Sequence, residues 1–222
     1  MDSEKRTGIQ ISHNTNNKEI SIVSGGIKIL ASEKPIASSF IVNWGRIYIM
    51  LDCSGSMKGK ILDQAKLGVI NFARDAFKKE YLVGFIKFSD GAEHLCEPTN
   101  DINVLQDKIK DIRASGSTNM TDAIKLAHSK LKNFAGTKVM VVATDGMPDN
   151  IKTSLVEANN AKSDGIDIIT IGTDVADVEF LKLLASRTEL SAKVTSDKFA
   201  QGISEASLLL MSPRSIIPKQ GR

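Results

Sequence analysis

An uninterrupted apolar run, followed at once by a polar loop and an amphipathic segment, constrains the fold more than any other feature of the chain. Residues 47–51 form the run, with no polar residue at alternate positions, which is typical of a strand covered on both faces in a parallel sheet. After the loop, apolar residues recur every three or four positions between residues 62 and 77. This spacing predicts a helix with one buried face, so the stretch forms a strand, a loop and a crossover helix.

The same alternation of strand and helix continues along the chain. The sequence predicts strands at 81–88, 92–95, 138–144, 166–171 and 192–194, and helices at 104–112, 123–134, 154–163, 178–185 and 199–211. This order predicts an α/β fold, a doubly wound and mostly parallel sheet with helices on both faces. Only Ser89, Asp90 and Gly91 separate the strand at 81–88 from the strand that Pro98 ends. We therefore expect one antiparallel edge strand.

The sequence divides into three regions. Residues 45–211 carry the α/β pattern, and residues 212–222 form a basic C-terminal tail. Residues 1–44 are an N-terminal extension, in which two short apolar segments flank Gly25 and Gly26. Such a pair predicts a β-hairpin, and the segment at 36–42 is interpreted as either a further edge strand or a linker.

Composition excludes several classes of function. Hydrophobic residues make up 41% of the chain and charged residues 25%, as in ordinary soluble proteins. No apolar run approaches the ~20 residues that span a bilayer, and the polar start does not resemble a signal peptide, so we expect a cytoplasmic protein without membrane association. The net charge of +3 is spread along the chain, which argues against nucleic acid as a partner. Cys53 and Cys96 are too few for a disulfide framework and fit a reducing compartment.

The loop after the first strand presents oxygen atoms. Asp52, Ser54 and Ser56 alternate with Cys53 and Gly55, at the carboxyl end of a strand, where open α/β sheets bind ligands. Oxygen donors without a nitrogen donor suit a hard cation such as Mg²⁺, which accepts about six oxygens and usually keeps several waters. Taken alone, the two serines could equally cap the next helix.

Two later segments carry matching groups. Thr118 precedes the second amphipathic helix, and Asp145 follows the apolar strand at 138–144 and precedes Gly146. Capping would explain Thr118 alone, and a turn would explain Asp145 alone. Asp149 is assigned to that turn rather than to the metal. Neither explanation gives a reason for a carboxylate after each of two apolar strands.

An Asp-x-Ser-x-Ser loop, a distant Thr and a distant Asp-Gly, in that order, resemble the metal-ion-dependent adhesion site (MIDAS) of the von Willebrand factor A (vWA) family. The resemblance covers roughly residues 45–211 and implies the Rossmann-like vWA fold. It also implies an intact site for Mg²⁺ or Mn²⁺, with every ligand position filled: Asp52, Ser54, Ser56, Thr118 and Asp145. In such a site the three hydroxyls bond the ion directly, the two carboxylates act largely through water, and one position stays open for a partner's Asp or Glu.

The resemblance thus implies a protein-binding module rather than an enzyme, serving as a subunit or adaptor of an intracellular assembly, a class that includes partners of AAA+ ATPases. One alternative is a scaffold in which the cation only rigidifies the three loops. The other is a Mg²⁺-dependent hydrolase. Against it, Ser54 is not flanked by the glycines of a nucleophile elbow, the second Asp of haloacid dehalogenase-type enzymes is replaced by Ser54, and no phosphate-binding loop is present.

Overall fold

The computed structural model describes residues 10–14, 19–24, 27–32 and 41–213. The first four strands form an antiparallel sheet in chain order: β1 (Gln10–Asn14), β2 (Glu19–Ser24), β3 (Ile27–Ser32) and β4 (Ile41–Asn43). At the predicted hairpin, β2 and β3 pair with Glu19 opposite Ser32. Residues 33–40 lie outside the described residues, and they include most of the 36–42 segment interpreted as an edge strand or a linker. Residues 1–9 and 214–222 also lie outside the described residues.

A second sheet has six strands in the order β10-β9-β8-β5-β6-β7. Its members are β5 (Gly45–Asp52), β6 (Tyr81–Phe88), β7 (Ala92–Thr99), β8 (Lys138–Thr144), β9 (Ile166–Gly172) and β10 (Ser191–Lys193). Only β6 and β7 pair antiparallel; the other neighbours are parallel. Asp52 lies opposite Phe88, and Thr144 lies opposite Gly172. The parallel strands therefore end together at one edge of the sheet.

Six α-helices cover this sheet: α1 (Lys60–Lys78), α2 (Ile102–Lys110), α3 (Met120–Leu131), α4 (Ile151–Ser163), α5 (Val178–Leu184) and α6 (Phe199–Glu205). Neighbouring residues of β5 face opposite sides, as strand geometry requires. Ile49 belongs to a core shared with α1, α2 and α6, and Met50 belongs to a core shared with α3, α4 and α5. The doubly wound α/β prediction is confirmed, with helices on both faces of a mostly parallel sheet. No helix within residues 41–213 combines the length and the apolarity needed to cross a membrane.

Two element boundaries were predicted wrongly. Strand β7 does not stop before Pro98 but continues to Thr99, which pairs with Val83 across an irregular register. Proline is tolerated there because an edge strand leaves one row of backbone groups unpaired. The last helix is not continuous over residues 199–211, because α6 ends at Glu205 and a 3₁₀ turn, Ala206–Leu209, follows it. The other predicted elements lie within a few residues of their predicted bounds, whereas strand β1 was not predicted from the sequence.

Candidate metal centre

Three loops meet at the carboxyl edge of the six-stranded sheet, and backbone hydrogen bonds hold them together. The amide of Gly55 donates to the carbonyl of Gly116 over 2.9 Å, and the amide of Ser115 donates to the carbonyl of Cys53 over 2.8 Å. The third loop joins through Asp149, whose amide donates to the carbonyl of Thr118 over 3.0 Å. The fold thus brings together three segments that are far apart in sequence.

Four of the five predicted ligands form one hydrogen-bonded chain. The Ser54 amide donates to Asp52 Oδ1 over 2.8 Å, and the hydroxyls of Ser54 and Ser56 lie 3.1 Å apart. Ser56 Oγ also donates to Asp145 Oδ1 over 2.8 Å. The fifth predicted ligand, Thr118, is joined through its backbone only. Thr118 is half-buried, and its hydroxyl makes no hydrogen bond with another residue in the range 41–213.

Helix capping does not account for these hydroxyls. Helix α1 begins after Gly59, and neither its start nor the preceding 3₁₀ turn, Gly55–Met57, has a side-chain cap. Helix α3 is capped by Asn119, whose Oδ1 accepts from the Asp122 amide over 3.2 Å. The hydroxyls of Ser54, Ser56 and Thr118 are therefore left for another role.

Burial and charge at the site favour a cation. Asp52 is 0% exposed and Asp145 is 3% exposed, and this desolvation raises the pKa of both carboxyls. Hydrogen bonds from Thr144 and Ser54 work in the opposite direction on the pKa of Asp52. Neither carboxylate forms an ion pair with a Lys, Arg or His within residues 41–213. Because unpaired buried carboxylates are costly, the donor set fits a hard divalent cation.

Hydroxyl oxygens are essential to this donor set. Among residues 41–213, no three His, Cys, Asp or Glu side chains are grouped so as to hold a metal ion. Cys53 is 2% exposed, and its thiol lies 3.5 Å from the Leu51 carbonyl, away from the loop's oxygen atoms as alternation predicts. Burial raises the pKa of the Cys53 thiol to about 12. It stays protonated at neutral pH and is a poor metal ligand.

Thr144 is a functional residue that the sequence analysis missed. It is the last residue of β8 and is completely buried. Its Oγ1 donates to Asp52 Oδ2 over 2.6 Å, although the two residues are 92 positions apart. With the Ser54 amide on Oδ1, each oxygen of the Asp52 carboxylate has a donor, which fixes its orientation. No local pattern marks such a contact.

Two further acids hold the loop that carries Thr118. Asp90 Oδ1 accepts from the amide of Ser117 over 2.8 Å and from its hydroxyl over 3.0 Å, and these bonds lower the pKa of Asp90. Gly116 has φ +79°, and a Cβ there would lie 2.5 Å from Asp90 Oδ2. From the other side, Asp149 Oδ1 accepts from the Thr118 amide over 3.0 Å. Asp149, assigned to a turn from the sequence, also positions Thr118.

Comparison with known sequences identifies the family. A sequence model of the von Willebrand factor type A domain matches residues 47–206. The chain is 28% identical over 113 residues to inter-alpha-trypsin inhibitor heavy chain H3 from Pongo abelii, a match covering 45% of this chain and 13% of that protein. It is 26% identical over 145 residues to thrombospondin-related anonymous protein from Plasmodium falciparum, covering 57% and 25%. The matches thus span a quarter or less of these relatives.

Solved structures share the fold at low sequence identity. The vWF domain of the pilus tip protein Mfa5 from Porphyromonas gingivalis has a TM-score of 0.67 at 14% identity, covering 74% of this chain and 94% of that one. The pilus adhesin SpaC from Lactobacillus rhamnosus GG has a TM-score of 0.67 at 15% identity, covering 93% and 35%. Mussel byssus proximal thread matrix protein 1, with a zinc-occupied MIDAS motif, has a TM-score of 0.65 at 20% identity, covering 79% and 48%. Because the family model matches residues 47–206, most of this chain's length, the chain belongs to the von Willebrand factor type A domain family.

Proposed function

We propose that this chain is a metal-dependent protein-binding module in which a single Mg²⁺ or Mn²⁺ accepts an Asp or Glu carboxylate of a partner protein. The ion is held by the oxygens of Asp52, Ser54, Ser56, Thr118 and Asp145. The main supporting observation is the hydrogen-bonded chain from Asp52 through both serines to Asp145. Its two buried carboxylates have no basic ion-pair partner among residues 41–213. When bound, the cation supplies an electrophilic centre for an incoming carboxylate.

The proposed ligands differ in how deeply they are buried, and this difference suggests separate roles for them. Asp52 and Ser54 are buried, whereas Ser56 is exposed and Thr118 is half-buried. The buried groups are fixed by hydrogen bonds and hold the site in place. Ser56 and Thr118 lie on the solvent side, from which a partner must approach. If the two carboxylates act largely through water, the three neutral hydroxyls would leave much of the ion's charge uncompensated, so a partner carboxylate would be a favourable additional ligand.

The comparisons support the proposal at two points. The proximal thread matrix protein has a MIDAS motif that holds zinc, and SpaC is an adhesin, so this fold serves metal binding and adhesion in those proteins. For this chain, the preference for Mg²⁺ or Mn²⁺ follows from the oxygen donors alone. A cytoplasmic location, and a partner within an AAA+ ATPase assembly, remain part of the proposal.

Thr118→Ala is expected to weaken partner binding about tenfold or more while leaving the melting temperature measured in EDTA nearly unchanged. A hydrogen bond or ligand contact to a charged group contributes about 1.5–3 kcal/mol, and tenfold in affinity corresponds to about 1.4 kcal/mol. Stability should hold because the Thr118 hydroxyl makes no hydrogen bond with another residue of 41–213. The partner is first captured in Mg²⁺ and eluted with EDTA, and its affinity for each variant is then measured by calorimetry.

Thr118→Ser is the matched control, because it keeps the hydroxyl and should keep most of the affinity. Unchanged affinity in Thr118→Ala would contradict the carboxylate bridge. The scaffold alternative makes a different prediction. If the cation only rigidifies the loops, EDTA lowers the melting temperature without releasing the partner, and the Ala and Ser variants bind equally well.

One form of the hydrolase alternative activates a serine through a neighbouring histidine. Within residues 41–213, His94 instead contacts the Tyr48 hydroxyl at 3.1 Å, and His128 pairs with Asp164 at 2.7 Å. Ser54 and Ser56 have no histidine hydrogen-bond partner there. We expect background rates in phosphatase and esterase assays with Mg²⁺. Hydrolysis by the wild type that is lost in Ser54→Ala would overturn the binding-module proposal.

A further inference from the structure

A basic groove of about 200 Å³ lies between the first turns of α1 and residues 112–114, next to the loop at residues 52–56. Its lining consists of Lys58, Gly59, Leu62, Asp63, Lys66, Ile112, Arg113 and Ala114. Lys66 closes one wall, because its Nζ donates to the carbonyls of Lys110 and Ile112 over 3.0 and 2.8 Å. Lys58 and Arg113 are exposed and form no ion pair with another residue of 41–213. Their charges are therefore available to a ligand.

The groove begins within a few residues of the candidate ligands. Lys58 follows Ser56 by two positions, and Arg113 precedes Gly116, whose carbonyl bonds the Gly55 amide, by three. Since an extended chain spans at most about 3.6 Å per residue, their Cα atoms lie within about 7 Å and 11 Å of these loop residues. Lys58 and Arg113 thus lie near enough to the candidate ligands for one bound segment to contact both the cation and the groove.

Charge is distributed unevenly around the site. On the side of α1 and the groove, Asp63 is the only acid among the lining residues. Asp90, Asp149 and Asp174 are also exposed, but none of them lines the groove. A second acidic residue of a partner segment is attracted by Lys58 and Arg113 and repelled by these exposed acids. Such complementarity sets orientation and discriminates between partners more than it adds raw affinity.

We propose that the basic groove is an acidic-residue subsite. It selects protein segments with a second Asp or Glu two or three positions from the one on the cation. The second carboxylate pairs with Lys58 and Arg113. This inference rests on the proposed function, because it takes the first carboxylate to be a ligand of the ion. Ion pairs between exposed side chains are weak, so Lys58 and Arg113 should each contribute up to about fivefold in affinity.

The test is selection of random peptides displayed on phage against the whole chain in Mg²⁺, with elution by EDTA. Wild type should enrich peptides with two acidic residues at the stated spacing. The double variant Lys58→Glu with Arg113→Glu should enrich a different set of peptides. These should keep the first acidic residue and carry Lys or Arg in place of the second. The matched double charge reversal is Lys125→Glu with Lys132→Glu, exposed positions at α3 on the other face of the sheet, and it should select the wild-type pattern.

Each other result contradicts an identifiable step. EDTA-released peptides with a single acidic residue, unchanged by the groove reversal, would overturn the subsite and leave the proposed function intact. Acidic pairs that EDTA does not release, but that the groove reversal abolishes, would show that the first carboxylate is not on the ion. That result would overturn both the metal bridge and the subsite as proposed. Peptides without acidic residues would also overturn both.

Discussion

Asp52→Asn is expected to abolish the rise in melting temperature that Mg²⁺ gives the wild-type chain. At a hundred times its dissociation constant, a ligand that binds only the folded state stabilises it by about 2.7 kcal/mol. For a chain of this size, that corresponds to a rise of about 5–10 °C. Asp52 is completely buried, and each of its carboxylate oxygens accepts one hydrogen bond. The amide keeps the side chain's size but removes the charge that the cation requires.

Differential scanning fluorimetry in Mg²⁺ and in EDTA measures this shift. The matched control is Asp167→Asn, because Asp167 is exposed near the amino end of β9, at the opposite edge of the sheet. This control should show the full wild-type shift. If Asp52→Asn also retained the shift, the cation would be bound elsewhere in the chain.

Gly68→Val is expected to destabilise the fold by about 2–3 kcal/mol, because it overpacks the contact between α1 and α6. A Cβ at Gly68 would lie 2.8 Å from the Ala200 carbonyl oxygen and 2.8 Å from Ile203 Cβ. The backbone atom cannot rotate away, so the helices must separate. The slightly better helix propensity of Val relative to Gly recovers only a few tenths of a kcal/mol. We expect the melting temperature to fall by about 5–10 °C.

Leu67→Val is the control for Gly68→Val. Leu67 is the preceding residue of α1, and its side chain is 52% exposed, so the change should alter stability by less than about 1 kcal/mol. Urea unfolding of both variants measures the difference. Equal stabilities would mean that α6 does not pack against α1 as closely as the structure has it.

The sequence was sufficient to predict the doubly wound α/β sheet because the decisive signals are local. The apolar run at 47–51 is buried on both faces as its lack of alternation indicates, and the Ser89-Asp90-Gly91 turn marks the antiparallel edge. The end of β7 and the end of α6 were not accessible in this way. Both depend on neighbours: β7 continues past Pro98 by pairing with β6, which no local propensity encodes.

The candidate ligands were predictable, but the residues that position them were not. The loop at 52–56 and the distant Thr118 and Asp145 have a recognisable order in the sequence. Thr144, by contrast, is part of an ordinary strand until the fold places its hydroxyl on Asp52. Asp90 and Asp149 bond the Thr118 loop across 27 and 31 positions. Contacts between loops that are this far apart in the sequence cannot be predicted from hydrophobic periodicity or from turn residues.

The most direct test of the metal centre is a titration of the ¹⁵N-labelled chain with Mn²⁺, followed by nuclear magnetic resonance. Mn²⁺ is paramagnetic and broadens the signals of nearby amides. A site built from the five proposed ligands predicts that the amides of Ser54, Ser56, Thr118 and Gly146 broaden first, and that Asp52→Asn prevents this. Signals from the opposite edge of the sheet, such as that of Ile166, should persist. Broadening centred anywhere else, or none at all, would contradict the proposed cation site.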